Sequence, residues 1–235
     1  MNAMNNGMKN DVDGVQQSQG IGQALAKSIV QFQKQQGPQV EGCDGTGQIN
    51  GNGSIMRLAP IPIAFSHDLD GCLKAAKEQS YTSHNGEEAS ECSRLLSFLC
   101  WHFLNSNSPD ECKEIMDKKL PVEFKSPLYS LEMMAKSQKE SEDKFKPDPY
   151  NQTVDDRNWN WKDKNYQYSP FRSKLAPYIV GVYCMDATAM AFHCLYHTNS
   201  LNDAIVKAAN LGGDADSVAA VVGQIGGAMY GLSKQ

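Results

Sequence analysis

Apolar residues in this chain recur three to four positions apart in one segment after another, which is the spacing of amphipathic helices. No segment carries the strict alternation of a half-buried strand. Ile21, Leu25, Ile29 and Phe32 fall on one side of a helix predicted over residues 21–32. The stretch QQGPQVEGCDGTGQINGNGS that follows has too many glycines, and a proline, for a regular element. MRLAPIPIAF is apolar, but Pro60 and Pro62 keep any helix there short or kinked. Helices are predicted over 67–79, 87–105 and 109–118. In the second of these, Cys92, Leu95, Leu96, Leu99 and Phe103 form one apolar stripe.

From 137 to 165 the pattern turns polar and reads as an irregular excursion, because apolar helical spacing resumes beyond it. Residues 178–196 are mostly apolar and belong in the core. A short helix over 201–210 starts at Asn199 or Ser200 as N-cap and stops at Gly212 and Gly213. The last helix runs from about Ser217 to Gly231. No repeat of solenoid length occurs. The expected fold class is all-α, in a single domain over 1–235.

Composition adds mainly exclusions. The chain has 235 residues, 40% hydrophobic and 21% charged, as expected for a soluble globular domain with one core. A net charge of -5 gives no basic footprint, so direct nucleic-acid binding is not expected. No apolar run reaches the ~18 residues of a membrane span, and the first ten residues lack a signal-peptide core. The seven cysteines are odd in number and include no Cys-x-x-Cys pair, so they read as reduced thiols of a cytoplasmic protein.

Two segments carry candidate chemistry. In NLGGDADSVAAVVGQIGGAMYG, Asp214, Asp216 and Ser217 leave one turn together, after a glycine pair and ahead of a helix. Two carboxylates and a hydroxyl are hard oxygen donors, suited to Mg²⁺, Mn²⁺ or Ca²⁺ rather than Zn²⁺. Helix capping uses the same residue types, so both readings stand at this point. An EF-hand is excluded because no acidic residue follows at the required loop position. Behind the turn, Ala219, Gly223, Gly227 and Gly231 recur every four residues, a stripe almost without side chains that lets another helix approach closely.

The second segment is GTGQINGNGSIMR. Gly45, Gly47, Gly51 and Gly53 can expose main-chain N–H groups to an anion, with Thr46, Asn50, Asn52 and Ser54 adding side-chain hydrogen bonds. The alternative is a plain surface loop. It is neither a Walker loop nor a Rossmann fingerprint. Arg57 suits either a phosphate or a structural ion pair.

Together these segments resemble the ADP-ribosylglycohydrolase family. GNGSIMRLAP is similar to its Gly-Asn-Gly-x-x-Met-Arg-x-x-Pro signature, and NLGGDADS to its Asn-Leu-Gly-Gly-Asp-x-Asp-Ser/Thr block. YTSHNGEEA resembles its Thr/Ser-His segment, and AMAFHCLYHTNSLNDAIVKAAN the helix pair leading into the acidic block. The resemblance implies a compact orthogonal helical bundle that cleaves the bond between C1 of ADP-ribose and an acceptor, with two Mg²⁺ or Mn²⁺ ions. It implies Asp214, Asp216 and Ser217 as metal ligands. It places Gly47, Asn50, Gly51, Asn52, Gly53 and Ser54 at the diphosphate and ribose, Ser83 and His84 near the nucleotide, and Tyr183, with Gly181, on the adenosine side. The implied partner is ADP-ribose or an ADP-ribosylated protein.

The sequence departs from the family in one place. The Thr-Asp-Asp triplet expected near the amino terminus is missing: Asp155-Asp156 follows Val154, and Val12 separates Asp11 from Asp13. The chain starts at a point resembling one past that triplet, so the expectation is a family domain lacking its amino-terminal part. The catalytic carboxylate is unassigned. Half a cation site binds weakly, so the chain alone is expected to be weakly active or inactive. Two functional readings follow: a glycohydrolase, or an inactive paralogue that binds ADP-ribose or serves a structural role. His193 and His197 lack the glutamate of a zinc-protease motif and read as packed histidines. Trp159, Trp161, Tyr166, Tyr168 and Phe171 read as a loop folding its rings onto the core.

Overall fold

The computed structural model describes residues 9–12, 15–18, 23–35, 50–175 and 180–231, and helix dominates them. A two-stranded antiparallel ribbon, β1 (Lys9–Val12) with β2 (Val15–Ser18), comes first, in register Lys9 to Ser18 and Val12 to Val15. The strand sequences KNDV and VQQS have no apolar alternation, so the hydrophobic pattern gave no sign of them. The only signal was Asp13-Gly14 between them, a favoured hairpin dipeptide.

Helix α1 (Gln23–Gln35) follows. Two residues of its apolar stripe are exposed, Leu25 by 37% and Phe32 by 51%, while Ile29 is half-buried. Among its described side chains the buried one is Ser28, whose hydroxyl donates to the Ser83 carbonyl at 3.2 Å.

The body is built from α2 (Pro60–Ala64), α3 (Leu69–Tyr81), α4 (Glu87–Leu104), α5 (Pro109–Glu114), α6 (Leu120–Glu123), α7 (Tyr129–Lys136), α8 (Pro170–Leu175), α9 (Cys184–Tyr196), α10 (Leu201–Ala209) and α11 (Ala215–Tyr230). The predicted helix over 109–118 is interrupted by a wide π turn at Ile115–Lys119 just ahead of Pro121, whose missing N–H and ring disturb the regular ladder. The N-caps are chemical: Asp68, Ser108 and Ser200 accept from the main-chain N–H three residues on.

Two helices make the centre. α9 buries every residue from Cys184 to Leu195, and α4 buries Leu95, Leu96, Leu99 and Phe103 on its apolar stripe. A helix apolar on all sides is covered on all sides, and α11 packs against both of these and against α10. The predicted close approach along Gly223, Gly227 and Gly231 is not found: a Cβ at any of these would meet nothing within 4 Å among the described residues. The close contact is one face over, at Gly226, where a Cβ would stand 2.8 Å from Leu201 Cδ1 and 3.1 Å from Leu195 Cδ2. Nothing among the described residues explains the glycines at 223 and 227.

The polar stretch 137–165 carries core residues within its irregular path. Trp159 and Trp161 are fully buried. Trp161 Nε1 donates to the Met134 carbonyl at 2.7 Å and Trp159 Nε1 to Glu140 at 2.9 Å. The six described cysteines are free and buried; Cys43 lies outside the described residues. No helix among the described residues is long and apolar enough to cross a membrane.

Candidate functional site

Asn52 is the centre of the site. It opens the short turn Asn52–Ser54 and is 7% exposed. Its main-chain N–H donates to the Val182 carbonyl at 2.8 Å, and Gly51 bridges Tyr183 beside it. Its side-chain amide donates to the Gly181 carbonyl at 2.9 Å and to Asp214 Oδ2 at 2.5 Å. One residue therefore joins the glycine turn, the segment entering α9 and the acidic turn entering α11.

Gly181 makes that junction possible. Its φ is +98°, and a Cβ there would meet Val218 Cγ2 at 3.2 Å. Both the conformation and the space call for glycine. Gly212 and Gly213, with φ of +72° and +60°, reverse the chain after α10 and bring Asp214 back, where its N–H donates to the Val180 carbonyl at 2.8 Å.

Asp214 occupies the N-cap position of α11 but makes no side-chain capping bond. Its carboxylate instead accepts from Asn52 on one oxygen and from the Ser217 hydroxyl on the other, at 2.9 Å. Burial pushes its pKa up; the donors Asn52 and Ser217 oppose that shift, and neighbouring Asp216 adds to it. Asp216 is exposed and Ser217 buried. The turn thus presents two interacting carboxylates and a hydroxyl that are not used for capping. This donor chemistry suits one side of a hard divalent cation, which would also relieve the repulsion between Asp214 and Asp216. Among the described residues no third acidic, histidine or cysteine side chain joins them.

The Ser83–His84 pair sits on the other side of the glycine turn. Ser83 Oγ and His84 Nδ1 are 2.8 Å apart, and a Cβ at Gly53 would stand 2.6 Å from His84 Cε1. Gly53 is needed for that close approach. His84 is 6% exposed, and burial with the nearby Arg57 charge lowers its pKa to about 4. Arg57 donates to the carbonyls of Gly53 and Gln79, to the Gln79 side chain, and to the hydroxyls of Thr82 and Ser83. Among the described residues it forms no ion pair, and its partners are neutral oxygens.

Behind this lies a set of buried charges that the sequence pattern did not single out. Arg157 donates to Glu88 at 2.6 Å, to Glu140 at 2.9 Å and to the Tyr183 hydroxyl at 2.6 Å, while that hydroxyl donates to Glu88. Arg172 makes a two-pronged pair with Asp186 at 2.8 and 2.7 Å, and its guanidinium lies 4.9 Å from the Tyr183 ring centroid. Tyr183 therefore has its hydroxyl committed and a cation over its ring. Asp186, an acid inside the apolar run CMDATAMAFHCLY, was the one visible sign of this network.

The structure brings Gly51, Asn52, Tyr183, Asp214 and Ser217 into one bonded cluster, with Gly53 against His84. The side-chain oxygen of Asn50 is tied to α4 instead, accepting from Ala89 N–H at 3.2 Å. Ser54 is close in sequence, but its hydroxyl is buried without a hydrogen-bond partner among the described residues. Gly45, Thr46 and Gly47 lie outside the described residues. His193 binds the Trp161 carbonyl at 3.1 Å and packs on His197.

A family model described as ADP-ribosylglycohydrolase matches residues 2–234. The ADP-ribosylarginine hydrolase Tri1 of Pseudomonas putida (strain GB-1) is 31% identical over 183 residues, covering 78% of this chain and 39% of that protein. Tri1 of Serratia proteamaculans (strain 568) is 29% identical over 183 residues, covering 78% and 40%. The chain thus spans about two-fifths of the length of these curated relatives. The ADP-ribosyl-[dinitrogen reductase] glycohydrolase of Rhodospirillum rubrum is 28% identical over 69 residues, 29% of this chain and 22% of that protein. A solved ADP-ribosylglycohydrolase-related protein complex shares the fold, with a TM-score of 0.60 and 22% identity over 90% of this chain and 59% of that one.

Proposed function

The chain belongs to the ADP-ribosylglycohydrolase family, and from that premise we propose that it holds ADP-ribose between the glycine turn and the acidic turn and serves hydrolysis of its C1 bond to a modified protein side chain. The observation that carries this reading is the Asn52 amide bonded to both Gly181 and Asp214, which fuses the two motifs into one site. Arginine is the first acceptor to test, because the Tri1 relatives are named for ADP-ribosylarginine.

In this reading Asp214, Asp216 and Ser217 hold Mg²⁺ or Mn²⁺, and the family's second ion shares the site. A bound cation would hold the ribose hydroxyls and offset charge at C1. The chain's own groups do the rest. Asn52 and Ser217 fix both oxygens of Asp214, so the carboxylate needs no reorientation when a ligand arrives. Neutral His84 offers a ring N–H rather than a positive charge. Gly53 lets the His84 ring pack against the turn where the diphosphate would lie. Ser83 and Tyr183 line its edges.

A second reading, an ADP-ribose binder without turnover, is favoured by one observation: Asp214 and Asp216 have no further acidic partner among the described residues. The test is ADP-ribose release from an ADP-ribosyl-arginine peptide with Mg²⁺ or Mn²⁺, alongside calorimetry with free ADP-ribose. Turnover that Asp214→Asn abolishes supports the hydrolase. Binding without turnover supports the binder. Neither binding nor turnover overturns both.

A further inference from the structure

Arg57 belongs to the glycine-turn signature, yet no carboxylate among the described residues explains its place. Its position is still tightly determined. The guanidinium donates to Gly53 O at 3.2 Å, Gln79 O at 3.0 Å, Gln79 Oε1 at 3.1 Å, Thr82 Oγ1 at 3.3 Å and Ser83 Oγ at 2.6 Å. These acceptors come from the glycine turn, the end of α3 and the loop before α4. A lysine could not span them, since it lacks the planar fork.

The shortest of these contacts has a directional consequence. A guanidinium only donates, so Ser83 Oγ accepts from Arg57. The hydroxyl's own proton then needs an acceptor, and His84 Nδ1 lies 2.8 Å away. An Nδ1 that accepts leaves the ring proton of neutral imidazole on Nε2. Nε2 lies 2.9 Å from the point a Cβ would occupy at Gly53, and it has no protein acceptor among the described residues.

We propose that Arg57 is a positioning residue: acting through Ser83, it fixes His84 as the Nε2–H tautomer, a one-directional donor held beside Gly53 for a phosphate or ribose oxygen of the ligand. The proposal rests on the reading of the glycine turn as an ADP-ribose site. Two further observations agree with it. The Arg57 charge disfavours protonation of His84, whose pKa is lowered to about 4, so the ring stays neutral and tautomer choice decides what it can donate. A cation that polarises Ser83 also makes its hydroxyl a better donor toward Nδ1.

The test is a long-range ¹H–¹⁵N spectrum of the full chain labelled at histidine, recorded near pH 7 without ligand, with His84→Gln identifying the His84 signals. The wild-type chain should have the proton on Nε2. Ser83→Ala and Arg57→Met should shift His84 toward an averaged or Nδ1–H pattern, and Ser83→Thr should restore it. Calorimetry with ADP-ribose should give about a tenfold weaker affinity for Ser83→Ala, equivalent to ~1.4 kcal/mol, with Ser83→Thr near wild type. An Nδ1–H tautomer in the wild-type chain overturns the proposal, and that measurement needs no variant to fold. So does a wild-type tautomer in both Ser83→Ala and Arg57→Met. An Nε2–H tautomer with no ADP-ribose binding by the wild-type chain removes the ligand role together with the site reading, while the relay itself stands.

Discussion

Replacing Asn52 with alanine isolates the bond that ties the two motifs together. The substitution removes one hydrogen bond to a main-chain carbonyl, at Gly181, and one to a carboxylate, at Asp214. The first is worth ~1 kcal/mol and the second ~1.5–3 kcal/mol where the acceptor is dry. Asp214 is only half-buried, so water replaces part of the second. The sum is a loss of about 2–3 kcal/mol. At this chain length, 1 kcal/mol moves the midpoint of thermal unfolding by roughly 2–4 °C, so a fall of ~4–12 °C is expected. Differential scanning calorimetry at pH 7 with a chelator present measures it without interference from bound cations. Ser217→Ala, which loses one bond to the same carboxylate and leaves Gly181 paired, should fall by less. A shift under 2 °C for Asn52→Ala, or a larger one for Ser217→Ala, would refute the view that Asn52 holds the site together.

Three further outcomes are expected. His84 and His193 are buried with pKa values lowered to about 4 from 6.5. The unfolded chain therefore binds more protons between those values, so their contribution is complete above pH 6.5 and is lost as the pH falls toward 4, by up to ~3 kcal/mol each. Urea melts of the His84→Gln/His193→Gln double variant should depend less on pH in that window, and an unchanged slope refutes this. Arg172→Met leaves Asp186, which is 1% exposed, as an unpaired buried carboxylate and should cost ~3–5 kcal/mol. Arg172→Met/Asp186→Leu should recover part of that in the same melts; a double variant weaker than the sum of the single ones would count against it. Gly227→Ala, with open space around it, should raise stability by ~1 kcal/mol. Gly226→Val, crowding Leu201 and Leu195, should lower it by ~1–3 kcal/mol, and equal effects at the two glycines would contradict the packing described above.

The helices were legible where a stripe or a cap marked them. The stripe from Cys92 to Phe103 marked α4, and of the two candidate caps Asn199 and Ser200 the structure uses Ser200 to start α10. The ribbon of Lys9–Val12 and Val15–Ser18 was not legible because KNDV and VQQS show no apolar alternation. Leu25 and Phe32 show a converse limit: periodicity identifies a helix and its apolar side, but not whether anything covers that side. The same holds for Gly223 and Gly227, whose spacing implied a close neighbour that the packing puts at Gly226.

At the site, the residue types of the two motifs were visible but their bonding was not. Whether Asp214 caps its helix or faces a ligand depends on Asn52, which approaches from a distant segment. Arg57 was recognised as a candidate for either a phosphate or an ion pair, and its protein partners among the described residues are neutral oxygens. Its role follows from the directionality of five hydrogen bonds, which no local pattern encodes.

The bond from Asn52 to Asp214 also sets an order of events during synthesis. The two residues are 162 positions apart in sequence. At ribosomal rates of about 5–20 residues per second, roughly 10–30 s pass between the appearance of the glycine turn and that of the acid it must hold. For most of that interval Asn52 has neither acceptor: Gly181 lies 129 positions on and Asp214 162. The helices from α3 to α7 can begin to pack before then, but the site cannot close until the start of α11 has emerged.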